Sequence, residues 1–137
     1  MGTRFVSATE SAAHPDYVKA LADAEPDDSV ATGAFDVGCP LCPSTHRVLR
    51  SSLEAATEAP GDQPIGAIES RDGSIPVMPF SFMPPTTRTS GNIGAMALYA
   101  GRSVGACRHG QSAQEILDEL VDGAAELLAS VRPAQRR

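Results

Sequence analysis

The sequence holds three cysteines and three histidines, the residue types that most readily bind metals, exchange electrons or move protons near neutral pH. Cys39-Pro-Leu-Cys42 has the short spacing of a zinc knuckle, with His46, Cys107 and His109 as residues able to complete a ligand set. A structural zinc site ordinarily takes two such pairs and the sequence offers one, so no metal is expected. A thioredoxin-like redox role needs a strand before the pair and a helix after it, and that context is missing. An odd, small number of cysteines does not suit a disulfide framework and fits a reducing compartment. A general base must reach the proton it removes and titrate near working pH. His14, directly before Pro15, reads as a helix cap or surface residue; His46 in HRVLR and His109 in RHG read as polar loop or helix-edge groups. None of the three is assigned a catalytic role.

The elements that would position these residues are unevenly defined. MGTRFVSA opens the chain as a short strand-like stretch. Pro15 then stands where a first helical turn tolerates it, and Tyr17, Val18, Leu21 and Ala22 recur at helical spacing, predicting a helix over residues 15–24. SVATGAF, residues 29–35, is a weak strand candidate. Nine of the eleven prolines fall within residues 26–85, so this middle should be mostly irregular, with its best helix over residues 46–59. Ile93, Met96, Ala97, Leu98 and Ala100 predict a compact helix stopping at Gly101. Ser112 and Glu115 form a capping box, and Ile116, Leu117, Leu120, Val121, Ala124, Leu127, Leu128 and Val131 mark a long amphipathic helix after it. Counted together, these faces are too few to close a two-layer core, so the core reads as incomplete.

Composition narrows the class. A net charge of -6, from 17 acidic and 11 basic residues, argues against a nucleic-acid surface, and the basic cluster Arg132, Arg136 and Arg137 reads as a solvated tail. No apolar run approaches the roughly 20 residues that span a bilayer, and the N-terminus has no secretory pattern, so a cytoplasmic protein without membrane contact is expected.

Three segments, GTRFVSATESAAHPDYVKAL, FDVGCPLCPSTHRVLRSS and AMALYAGRSVGA, followed by the amphipathic helix, stand in an order that resembles nitronate monooxygenases, also called 2-nitropropane dioxygenases. The resemblance covers essentially the whole chain. Its more specific parts are GTRF and MALYAGRSVG, and Cys39 departs from the bulky aromatic usual at its position. It implies an α/β protein: the C-terminal fragment of an FMN-binding TIM barrel, with the end of strand eight closing at Met1, its following helix and a helical C-terminal extension. In isolation it should be mostly helix and irregular structure. The implied division is residues 1–25 for the strand end and helix, 26–92 for an irregular Pro-rich insertion, and 93–137 for C-terminal helices.

The same resemblance gives Gly2 and Thr3 the place of FMN phosphate contacts, since a barrel of this kind holds phosphate with backbone N–H groups near strand eight. By themselves the two residues read as an ordinary turn. Tyr99 and Ser103 take the place of residues facing the substrate cavity, against the alternative of a buried helix end capped by Ala100-Gly101. The family's catalytic histidine and most FMN-contacting loops belong to an upstream barrel half. The implied activity is oxidation of alkyl nitronates by molecular oxygen to a carbonyl compound and nitrite, by a chain inactive alone. The alternative is a non-catalytic truncated or split remnant serving as a helical partner of another chain.

Overall fold

A computed structural model describes residues 2–131; Met1 and the arginines at 132, 136 and 137 lie outside them. The first element, α1 (Gly2–Val6), is one short helix, where the residue pattern led us to expect a strand. Its environment decides this. Thr3 and Arg4 are both buried and Arg4 reaches across to Glu119 at 2.6 Å, contacts made on one side of a helical turn. Helix α2 (Pro15–Asp23) begins as the sequence indicates: Pro15 opens it and the His14 ring Nδ1 accepts from the Asp16 amide at 3.1 Å. Tyr17 and Leu21, one turn apart, face the core.

Strands β1 (Ser29–Thr32) and β2 (His46–Leu49) pair antiparallel, with Val30 opposite Val48, and α3 (Arg50–Glu58) follows β2 directly. The helix expected over residues 46–59 therefore starts four residues later. Val48 and Leu49 are claimed by strand pairing: Leu49 N–H donates to the Leu98 carbonyl at 2.9 Å, and Ala100 N–H donates to the Arg47 carbonyl at 3.0 Å. The partner of that pairing is the segment read as a compact helix. Only Ile93–Ala95 coils, as a 3-10 turn, and the chain beyond it is extended, with Tyr99 bridging Val48. Met96, Ala97, Leu98 and Ala100 are all buried because this stretch is covered on both faces. A continuous apolar run of that kind is indistinguishable from a buried helix by periodicity.

The Pro-rich middle holds the second sheet, order β4-β3-β5, from β3 (Gly66–Ser70), β4 (Gly73–Val77) and β5 (Thr89–Gly91), all antiparallel. Its inner edge is made by a close approach of Gly66 and Gly91. A Cβ on Gly91, whose φ is +109°, would press into the Gly66 backbone, and one on Gly66 would meet Met96 Cε at 2.5 Å.

One core cluster gathers Tyr17, Leu21, Leu49, Ile68, Val77, Ile93, Met96, Leu98 and Val104; a smaller one gathers Phe35, Val48, Ala56 and Ala97. The core reckoned incomplete from helical faces is thus filled from the middle, through Phe35, Ile68 and Val77. The last helix, α4 (Ala113–Ser130), carries the Ser112–Glu115 capping box as read from the sequence, but of its stripe only Ile116 is buried. The whole is a mixture of helices and two small antiparallel sheets with no closed barrel among the described residues. No described helix is long and apolar enough to cross a membrane.

Candidate functional site

The two segments that carry the resemblance most specifically, GTRF and MALYAGRSVG, meet in space. Gly101 N–H donates to the Thr3 hydroxyl oxygen at 2.9 Å, joining residues 98 positions apart, and the turn Arg102–Ala106 packs on α1. Gly2 is exposed, and nothing stands within 4 Å of where a side chain would begin. In a first helical turn the N–H groups of Gly2 and Thr3 have no intrahelical acceptor. Thr3 itself is buried, its oxygen already engaged by Gly101.

Tyr99 is pinned at both ends of its residue. Its phenol donates to the Phe82 carbonyl at 2.7 Å, while its own carbonyl accepts the Tyr17 hydroxyl at 2.6 Å. Burial pushes both phenols above their ordinary range, Tyr17 further, so both stay protonated donors at any working pH. Beside them lies a cleft of about 290 Å³ whose walls are largely apolar, formed by Val6, Ala13, Tyr17, Pro85 and Tyr99 with Ser11 and Thr86. Its walls come from α1, the entry to α2, the Pro84-Pro85 turn and the extended segment after Ile93–Ala95. Ligand pockets run from about 300 Å³ upward and are mostly apolar, so this cleft stands at the small end of that range. Ser103 sits half-buried in the Arg102–Ala106 turn and does not line this cleft, so the four residues assigned by resemblance divide: Thr3 and Ser103 stand by Gly101, and Tyr99 stands at the cleft.

Two residues of this region gave no functional signal in the sequence. Arg4 is buried, its guanidinium bound to Glu119 at 2.6 Å and Gln111 at 3.2 Å, and its Nε has no partner among the described residues. Tyr17 looked like ordinary helical core and instead fixes the Tyr99 backbone. The Arg4 charge also lies near the buried Cys107 thiol; burial nevertheless raises that thiol above its ordinary value and leaves it a poor nucleophile.

The remaining cysteines contradict the expectation of unpaired thiols: Cys39 and Cys42 are disulfide-bonded, three residues apart. The loop between β1 and β2 brings them together. Gly38 adopts φ +78°, and the Cys39 amide donates back to the Asp36 carbonyl at 2.9 Å, making a tight turn before the pair. His46, expected in a loop or at a helix edge, is the first residue of β2, with its Nε2 3.7 Å from Cys42 Sγ and 3.2 Å from the Ser44 hydroxyl. His109 is not part of this cluster and stands 3.8 Å from Asp23. No protein-family model, curated protein or solved structure matches this chain.

Proposed function

We propose that this chain is the C-terminal part of an FMN-dependent nitronate monooxygenase, supplying one phosphate contact and one cavity wall to a flavin site completed by a barrel half. The observation that carries the reading is the hydrogen bond from Gly101 to Thr3, which unites the two segments that most specifically resemble that family. The residues present fit the phosphate end of FMN in part: open space over Gly2 and first-turn amides without an intrahelical acceptor suit an anion, while the Thr3 side chain is buried against Gly101. Bound there, the flavin would carry electrons from the nitronate to oxygen, giving a carbonyl compound and nitrite. The protein's part is positional. Gly2 and Thr3 orient the phosphate, and Tyr99, held by Phe82 and Tyr17, presents a fixed aromatic wall to a small nitro compound.

A closed eight-stranded barrel takes about 250 residues, so the chain alone is expected to bind FMN weakly and release no nitrite. The decisive experiment combines purified chain, FMN and an alkyl nitronate with and without a barrel half that lacks its own C-terminal segment. Nitrite and flavin-fluorescence quenching should appear only with both parts. Nitrite from the chain alone overturns the fragment reading, and none from the pair overturns the flavoenzyme reading. A non-catalytic helical partner is the second reading, favoured by the exposed stripe of α4; it requires the two parts to associate with no turnover.

A further inference from the structure

The Cys39, Cys42 and His46 side chains each offer one donor atom, and all three donors lie within 4.8 Å of one another. We propose that, with its cysteines reduced, this cluster binds one Zn²⁺ through two thiolates and the His46 imidazole, and that forming the Cys39–Cys42 disulfide expels the ion. The inference stands independently of the flavin reading.

Distance is the first argument. Zinc takes sulfur at about 2.3 Å and imidazole nitrogen at about 2.0–2.1 Å, so one of each about a tetrahedral centre lie about 3.6 Å apart. Cys42 Sγ and His46 Nε2 are 3.7 Å apart. Two sulfurs on the same centre lie about 3.8 Å apart, which requires the disulfide to open and the thiols to turn away from each other. The Cα separation of 5.5 Å leaves room for that by side-chain rotation alone.

Positioning is the second. The loop carrying the thiols is tied down at Val37, whose N–H donates to Phe80 at 3.1 Å and whose carbonyl accepts from Phe82 at 3.2 Å. His46 is fixed by pairing with Thr32 across β1 and β2, and its ring meets the Tyr99 ring edge-on with centroids 5.5 Å apart. Ser44 stands beside both, 3.5 Å from Cys42 Sγ and 3.2 Å from His46 Nε2, able to donate to a thiolate. All three ligands are half-buried, accessible to an ion without being fully solvated.

The donor set decides the ion. Two soft sulfurs and an imidazole select zinc over the oxygen-seeking magnesium and calcium. Three protein ligands leave a fourth position for water or an outside group, the pattern of sites that do more than staple a fold. Cys107 cannot complete the set because it is buried in the other core cluster, beside Ser7. Expulsion is a two-electron step: a small-molecule disulfide takes two electrons from the thiolates, the Cys39–Cys42 bond forms, its own S–S bond breaks to two thiolates, and the ion leaves.

The test titrates the whole chain, reduced and desalted without oxygen, with Co²⁺ as a visible stand-in for zinc. One Co²⁺ should bind with thiolate charge-transfer and tetrahedral visible bands, and Zn²⁺ should displace it. C39S with C42S should abolish the bands, H46A should weaken binding at least about tenfold, and C107S should change neither. Chain oxidised with a small-molecule disulfide should bind none. Mass spectrometry guards against variants that fail to fold: in the unmodified chain, Zn²⁺ should shield Cys39 and Cys42 from alkylation and leave Cys107 as it was. No saturable charge-transfer band, undiminished binding in H46A, or no shielding overturns the proposal.

Discussion

Helix α2 packs Tyr17 and Leu21 into the core within nine residues, whereas α4, eighteen residues long, buries Ile116 alone and leaves Leu117, Val121, Leu127 and Leu128 between 48% and 75% exposed. Both are amphipathic and both are capped at their first turn. They differ in what the rest of the chain offers them. Helix α2 faces the extended segment 96–100, which accepts its Tyr17 hydroxyl and fills the space beneath it. Helix α4 is anchored by polar groups at its start: Glu119 gathers Arg4, Arg108 and Gln111, and Glu10 accepts from the Ala113 amide at 2.9 Å. An amphipathic stripe therefore states a requirement for burial, and packing elsewhere in the chain determines whether it is met.

Replacing Leu21, which is fully buried, with Ala should make the largest difference, lowering stability by about 2–5 kcal/mol in urea unfolding. A cost under about 0.5 kcal/mol, the usual scale of surface changes, would place α2 on the same footing as α4 and remove the contrast. Leu120→Asp acts at a half-buried position, and about 1 kcal/mol is expected, with some loss of helical circular dichroism. A cost matching that of Leu21→Ala would mean that α4 is buried along its length.

The polar anchor has a pH signature. Chiefly the hydrogen bond from Arg4, with Gln111 and Arg108 adding, holds the Glu119 carboxyl below its ordinary value. A carboxylate depressed in the folded state contributes stability above its unfolded pKa, about 4.3 for glutamate, and loses it as pH falls through the folded value. The unfolding midpoint should therefore drop as solutions are acidified below about pH 5, and Glu119→Gln should flatten part of that drop. An unchanged acid limb in the variant would show that α4 is not held by this group. The smallest effect belongs to Leu128→Ala, within about 0.5 kcal/mol by thermal unfolding of the chain alone. A larger loss there would reveal a partner surface, such as a second copy, already covering the helix.

What the sequence revealed follows from which interactions are local. The start of α2 at Pro15 and the capping box at Ser112 depend on residues within one turn, and both stand where the sequence puts them. The extended course of Met96 to Ala100 depends on β2, some 50 positions earlier, so its unbroken apolar run was read as helix. The sheet of β3, β4 and β5 was hidden for a related reason: Gly66, Gly73, Pro76 and Gly91 are poor strand residues singly, and two of them are required by a backbone approach between distant segments. At the candidate site, Tyr99 and Thr3 were nominated by resemblance, yet the partners that pin Tyr99, Tyr17 and Phe82, come from two other stretches, and Thr3 is held by Gly101, 98 positions away. The convergence of Cys39, Cys42 and His46 was open to the spacing argument, but the disulfide between the two cysteines was not, since it depends on the loop turning at Gly38.

The lacing of α1 to a distant part of the sequence has a consequence for how the protein folds. Thr3 is held by Gly101, Thr9 donates to the Gln111 carbonyl at 2.9 Å, and Arg4 reaches Glu119. These contacts join residues 98 to 115 positions apart. Closing loops of that length carries an entropic cost that must be met before the contacts form. The segment that carries the buried Thr3 and Arg4 therefore belongs to the slow, non-local part of the folding reaction.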